Sequence, residues 1–130
     1  MTRAQSPLTR AADRLLAALQ RETAIARLGA LPELSAAADA KRAALADFTA
    51  ACETRGDAPP DTLAAEREAL RRVISAADQN ALVLVAVRRA LEDLPRRLRA
   101  AITAAVDPGV YTLHGRTVRH VLAARINASA

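Results

Sequence analysis

Apolar positions recur at helical spacing along almost the whole chain. The first series starts directly after Ser6 and Pro7, a pair typical of a helix N-cap followed by the first helical turn. Its members are Leu8, Leu15, Leu16, Leu19, Leu31, Leu34, Leu45, Phe48 and Cys52. The phase slips around Gly29 and Pro32, where the missing proline N–H must kink or break a helix. We favour a kink, and therefore predict one long arm over residues 7–55.

The strongest turn signal follows this arm. Gly56 suits a left-handed helix cap, and Pro59 and Pro60 can open the next helix, so the turn is placed at residues 56–60. Apolar residues then fall every seven positions, with companions three residues later, as in a coiled-coil seam. The series is Leu63, Leu70, Ala77, Leu84, Leu91, Leu98 and Ala105, and its companions are Val73, Asn80, Val87 and Leu94.

These patterns predict an all-α fold in a single domain. The second arm covers residues 60–107, is bent by Pro95, and packs against the first arm as a long antiparallel, coiled-coil-like hairpin. After it, residues 110–130 carry a short amphipathic pattern that predicts a C-terminal tail helix. The apolar positions of that tail are Val118, Val121, Leu122 and Ile126.

Two features of the second arm bear on partners. Asn80 falls on the apolar seam, where a lone Asn commonly fixes register; a polar contact to a ligand and a rotated, exposed side chain are the alternatives. The run 81–87 is apolar on every side, so Leu82, Val83 and Val85 need a cover outside a two-helix seam. The tail or a third helix, a second copy in a homodimer, or a bound client would each provide one.

Composition and charge narrow the class of protein. One Phe, one Tyr and no Trp accompany many alanines, which indicates a thin seam between helices rather than a wide core with a pocket. The net charge is +5, but basic and acidic residues alternate along the helices. Solvated helix faces explain this better than a phosphate-binding patch does, and acidic residues such as Glu66 and Glu92 are expected to form solvated ion pairs.

Catalytic signatures are missing from the sequence. His114 and His120 lack the spacing of a helical zinc pair, and neither a glycine-rich phosphate loop nor a nucleophile elbow occurs. We expect no metal, no cofactor and no enzyme activity. Cys52 is interpreted as a small core residue, and a single cysteine fits a reducing compartment. Without a signal-like start or a long apolar run, a cytoplasmic protein with no membrane insertion is expected.

Several segments resemble one known family. The stretch from Glu22 to Leu34, followed by Lys41 and Leu45, resembles the first long helix of FlgN-type flagellar export chaperones. The second half is similar at Ala77-Asp-Gln-Asn-Ala-Leu82 and in the segment from Tyr111 to Arg116. The sequence departs from that family in its basic charge and in carrying Pro32 and Pro95.

The resemblance implies a carrier rather than a catalyst. Such chaperones hold hook-filament junction proteins in the cytoplasm and deliver them to the type III export gate. It places client binding in the C-terminal part of the chain, here the late second arm and the tail positions Val118, Val121, Leu122 and Ile126. To these we add the uncovered Leu82, Val83 and Val85. It also implies that Tyr111 docks at the export gate; a ring packed over the hairpin end is the alternative.

Two other functions stay open at this point. A basic helical protein could bind nucleic acid through its phosphates, or the chain could be a structural coiled-coil adaptor. No base-reading module and no aromatic stacking platform is visible in the sequence, so specific nucleic-acid recognition is not expected.

Overall fold

The computed structural model describes residues 4–106, and these form three α-helices. Helix α1 is Pro7–Leu28, α2 is Leu31–Glu53 and α3 is Pro60–Val106. No strand occurs among the described residues, so the all-α class is confirmed. The predicted tail helix at 110–130 lies outside them.

Helix α1 begins where the sequence predicts it. The Ser6 side chain accepts a hydrogen bond from the Thr9 backbone N–H at 3.1 Å, and Pro7 is the first helical residue. The helix ends at Gly29, whose φ of 68° is left-handed and whose N–H donates to the Ala26 carbonyl at 3.1 Å. A left-handed glycine therefore ends the first helix.

The predicted kink at Pro32 is wrong, because the chain breaks there. After Gly29 and Ala30 a new helix starts at Leu31, and Pro32 occupies its first turn, where a missing N–H has no helical acceptor to lose. The left-handed cap expected at Gly56 is also absent, since Gly29 is the one glycine with positive φ between residues 4 and 106. The C-cap of α2 is Thr54 instead.

Helix α2 folds back along α1. The Lys41 ammonium lies 2.6 Å from the Glu22 carboxylate, whereas 19 residues of continuous helix would separate them by about 28 Å. Helix α3 then runs parallel to α1, because Ser6 contacts Glu66 and Glu22 contacts Asn80. The part of the chain up to Arg88 is thus a three-helix bundle in which α2 is antiparallel to both neighbours, and this corrects the two-arm hairpin.

The bundle core is narrow and rich in small side chains. Helices α1 and α3 supply its fully buried cluster, and Ala44 and Phe48 of α2 pack against it. The cluster consists of Ala12, Leu15, Leu19, Ala69, Val73 and Ala76. Alanine at half of these positions lets the helix backbones approach closely, as expected from the composition.

The heptad pattern of α3 is present, and the predicted companion positions Val73 and Asn80 are buried, but the leading leucine series is not at the centre of the contact face. The buried residues are Glu66, Ala69, Val73, Ala76 and Asn80, with alternating spacings of three and four. The leucine series at Leu63 and Leu70 is only half-buried. Helix α3 faces two neighbours and therefore presents a wider contact face than a helix in a hairpin does. The small residues lie at the centre of this face, and the leucines lie at its edge.

Helix α2 contributes least to the core. Ala37 is its one buried residue, while Leu45 is half exposed and Cys52 is exposed. Of the last three apolar positions predicted for the first arm, Phe48 packs against the core, whereas Leu45 and Cys52 do not. Leu45 and Cys52 stand on the solvent side because α2 covers the α1–α3 pair with a narrow stripe of mostly alanines.

The chain divides into two units at Arg88. Helix α3 continues without interruption through Pro95 to Val106, and none of residues 89–106 is buried. This second described segment carries the features that point to a partner.

Candidate interaction surface

A stripe of exposed apolar side chains follows the C-terminal part of α3. Leu91, Leu94, Leu98 and Ile102 are 45–54% exposed, and their spacings of three and four place them on one side of the helix. We call these four residues the α3 stripe. Isolated exposed leucines are ordinary, but four in helical register form a continuous apolar surface that helix packing normally covers.

Arginines border the α3 stripe. Arg97 and Arg99 stand immediately before and after Leu98, so they lie about 100° to either side of it on the helix. Neither makes an ion pair within residues 4–106, whereas Arg96 on the far side pairs with Asp93 at 3.2 Å. The edges of the stripe thus carry positive charge that the described chain does not neutralise.

The basic charge of the chain is unevenly distributed. Residues 1–88 contain twelve basic and eleven acidic residues, and residues 89–130 contain seven basic and three acidic residues. Almost all of the net charge of +5 therefore belongs to the last third of the sequence. The sequence-based interpretation of evenly solvated faces fits the bundle but not the later segment.

One end of the core cluster carries a buried polar network centred on Asn80. Its side-chain amide donates to Glu22 Oε2 at 2.8 Å and to Thr23 Oγ1 at 3.2 Å, and its Oδ1 accepts from Lys41 Nζ at 3.3 Å. Glu22 is only 2% exposed and pairs with Lys41 at 2.6 Å. We call these four residues the Asn80 network; it joins all three helices at one level.

The other end of the core has a matching arrangement around Glu66. Glu66 Oε1 accepts from Ser6 Oγ at 2.9 Å, and Oε2 accepts from Arg55 Nε at 2.8 Å. Ser6 Oγ also lies 3.0 Å from Thr9 Oγ1. The expectation that Glu66 forms a solvated ion pair is wrong, because this carboxylate is 5% exposed and its partner Arg55 follows α2.

Both networks are internally complete. No buried side-chain nitrogen or oxygen in the described part of the chain lacks a hydrogen-bond partner. A carboxylate whose oxygens are engaged in this way is held in place rather than poised for proton transfer. The networks therefore fix how the three helices are aligned along their axes, which agrees with the register role considered for Asn80.

A cleft adjoins the Glu66 arrangement. It has a volume of about 280 Å³ and lies where α2 ends, α3 begins and α1 starts. Its walls include Ser6, Leu8, Arg55, Pro59 and Glu66. Two charged groups of this cleft, Arg55 and Glu66, already bind each other.

Other chemistry is sparse in the described residues. Cys52 is a free, exposed thiol, which corrects its expected place in the core. No group of three metal-ligating side chains comes together within residues 4–106. Helix α3 and its neighbours also include no stretch long and apolar enough to cross a membrane.

Only three of the predicted client-binding residues lie within the described part of the chain. Leu82 is 73% exposed and Val85 39% exposed, whereas Val83 is half-buried, so these three do not form one uncovered patch. The remaining predicted site residues lie outside the described residues; they are Tyr111, Val118, Val121, Leu122 and Ile126.

The sequence did not single out the residues of the α3 stripe as a site, although the family resemblance implied client binding in the late second arm. Leu91, Leu94 and Leu98 were assigned to the hairpin seam, where the first arm would have covered them. The signal that could have found them is Gly29 followed by Pro32, since a break there leaves two helices of 22 and 23 residues beside one of 47. The surplus length of α3 then needs a cover from elsewhere.

Comparison with known proteins gives no assignment. No protein-family model, no curated protein and no solved structure matches the chain.

Proposed function

We propose that this protein is a carrier that binds an amphipathic helix of a partner protein along the α3 stripe. The observation that carries the proposal is the register of Leu91, Leu94, Leu98 and Ile102, about half of whose surface is exposed. An amphipathic helix laid against such a stripe buries the apolar surface of both partners. Catalysis has no part in this function.

In its specific form, the proposal is a cytoplasmic flagellar export chaperone of the FlgN type. The partner is then a hook-filament junction protein, held until delivery to the type III export gate. Support comes from the segments that resemble the family, because Glu22, Lys41 and Asn80 from three of these segments meet in the Asn80 network. Tyr111 and the tail retain their proposed roles in gate docking and client binding.

Titration of the purified full chain with hook-filament junction proteins from the same organism tests this function. We expect a stoichiometric complex by calorimetry, and expect Leu94→Asp with Leu98→Asp to weaken it at least tenfold, since two carboxylates would be buried at the interface. The control is Ile74→Asp, an apolar position of the bundle that is 60% exposed, slightly more than Leu94 and Leu98.

Two outcomes would contradict the proposal. If no junction protein binds the chain, the flagellar form is wrong. If a junction protein binds equally well to the stripe variant and to wild type, the α3 stripe is not the binding surface. Unchanged circular dichroism of both variants is required before weaker binding is attributed to the α3 stripe.

Nucleic-acid binding is the second candidate, favoured by the excess of basic residues after Arg88. It uses the arginines but leaves the α3 stripe without a role, because phosphates do not cover leucines. We expect binding to duplex DNA no tighter than about 10 µM at physiological salt, in the non-specific range. Submicromolar, sequence-dependent binding would make this candidate the better one.

A further inference from the structure

We infer that the helix bound by the α3 stripe is acidic along both of its flanks. The inference rests on the proposed function and specifies the chemistry of the partner. It starts from Arg97 and Arg99, which stand on opposite edges of the stripe beside Leu98. In paired helices, residues at these edge positions face charged residues of the partner and decide which helix is accepted.

The two edge arginines differ from the two bundle cations that are paired with buried carboxylates. Lys41 and Arg55 each bind a buried carboxylate, at 2.6 and 2.8 Å, so their charge is used within the fold. Arg97 and Arg99 bind no carboxylate within residues 4–106. Covering the α3 stripe would remove water from their inner sides, and this is favourable only if the cover brings negative charge.

A second copy of the same segment fits this surface poorly. It would supply a matching stripe of leucines, but it would also bring further arginines, because residues 89–106 contain four basic and two acidic residues. Like charges along the edges of a helix pair oppose association. An acidic amphipathic helix supplies the apolar stripe and the opposite charge together.

The test uses two synthetic helical peptides of about 21 residues, three heptads, with the same leucine seam. One carries Glu at the positions flanking the seam and the other carries Lys. Binding to the full chain is measured by fluorescence anisotropy at low and physiological salt. We expect the Glu-flanked peptide to bind about tenfold more tightly, a preference that shrinks as salt screens the pairs.

Charge reversal supplies the decisive variant. Arg97→Glu with Arg99→Glu should invert the preference, so that the Lys-flanked peptide binds more tightly. The matched control is Arg10→Glu with Arg14→Glu, which makes the same charge change at exposed positions of α1 and should leave the preference intact. Helical content is checked for both variants by circular dichroism.

The outcomes separate the inference from the proposed function. Equal binding of both peptides, lost in Leu94→Asp with Leu98→Asp, would overturn the acidic partner and leave helix binding in place. Binding of neither peptide would overturn both. Binding of anionic lipid vesicles or DNA, but of neither peptide, in a manner that needs Arg97 and Arg99 would assign this surface to a membrane or to nucleic acid instead.

Discussion

The bundle and the later segment of α3 use the same residue types in opposite ways. In residues 4–88, leucines and alanines are buried between three helices, and two carboxylates are buried with their own cations. In residues 89–106, leucines at the same helical spacing are half exposed, and Arg97 and Arg99 stand beside them without a carboxylate partner in the described chain. The difference shows that a heptad pattern specifies a contact face but not the partner that fills it.

The largest expected effect compares one apolar side chain from each region. Leu15→Asp places a carboxylate at a position 3% exposed and should lower the free energy of unfolding by about 4 kcal/mol, a large fraction of the stability of a small domain. Leu98→Asp, at 52% exposed, should change it by less than about 0.5 kcal/mol. Urea denaturation followed by circular dichroism measures both. Equal destabilisation would mean that the α3 stripe is part of the folded core.

The second comparison concerns the acidic residues. Glu22→Ala leaves Lys41 and Asn80 without their shared carboxylate and should cost about 3 kcal/mol. Asp93→Ala removes a pair whose side chains are 43% and 81% exposed, so solvent screening should limit the cost to about 0.5 kcal/mol. Thermal unfolding of the two variants at one salt concentration checks this ranking. A larger loss of stability for Asp93→Ala would contradict the interpretation that the Asn80 network is the main polar contact between the helices of the bundle.

The smallest effect concerns the break that separates α1 from α2. Gly29→Ala forces a left-handed φ on a residue with a Cβ and should cost about 1 kcal/mol, although no atom lies within 4 Å of the added carbon. Gly56→Ala is the matched control, since it has equal space and no positive φ, and it should be neutral or stabilising by about 0.5 kcal/mol. If both substitutions had the same effect, the left-handed cap would not be what ends α1.

Much of the fold could be predicted because its signals are local. Ser6 and Pro7 identify the start of α1, and Pro60 marks the start of α3. Capping and proline geometry depend on a few neighbouring residues, which the sequence displays directly. The heptad spacing of α3 was visible for the same reason, and so was the position of Asn80 on its buried face.

The choice between a kink and a break at Gly29 and Pro32 could not be made locally. Both a kink and a break accommodate Pro32. The free-energy difference between them depends on whether α2 gains more contacts by folding back along α1 than by packing along α3 alone. Contacts distant in sequence decide it: Lys41 with Glu22 and Phe48 with the α1–α3 core. The hairpin prediction failed because it chose the kink. The wrong position of the seam and the wrong burial of Leu45 and Cys52 are consequences of that choice.

The sequence by itself determined the helical class, the ends of most helices and the apolar faces, because propensity, capping and periodicity act over a few residues. Only the tertiary structure decided which faces meet. Glu66 became a buried partner of Arg55 rather than a solvated acid, and Leu91, Leu94 and Leu98 became an exposed stripe rather than a seam. The physical reason is that burial is a property of the assembled helices: the same leucine is core or surface according to whether another helix reaches it.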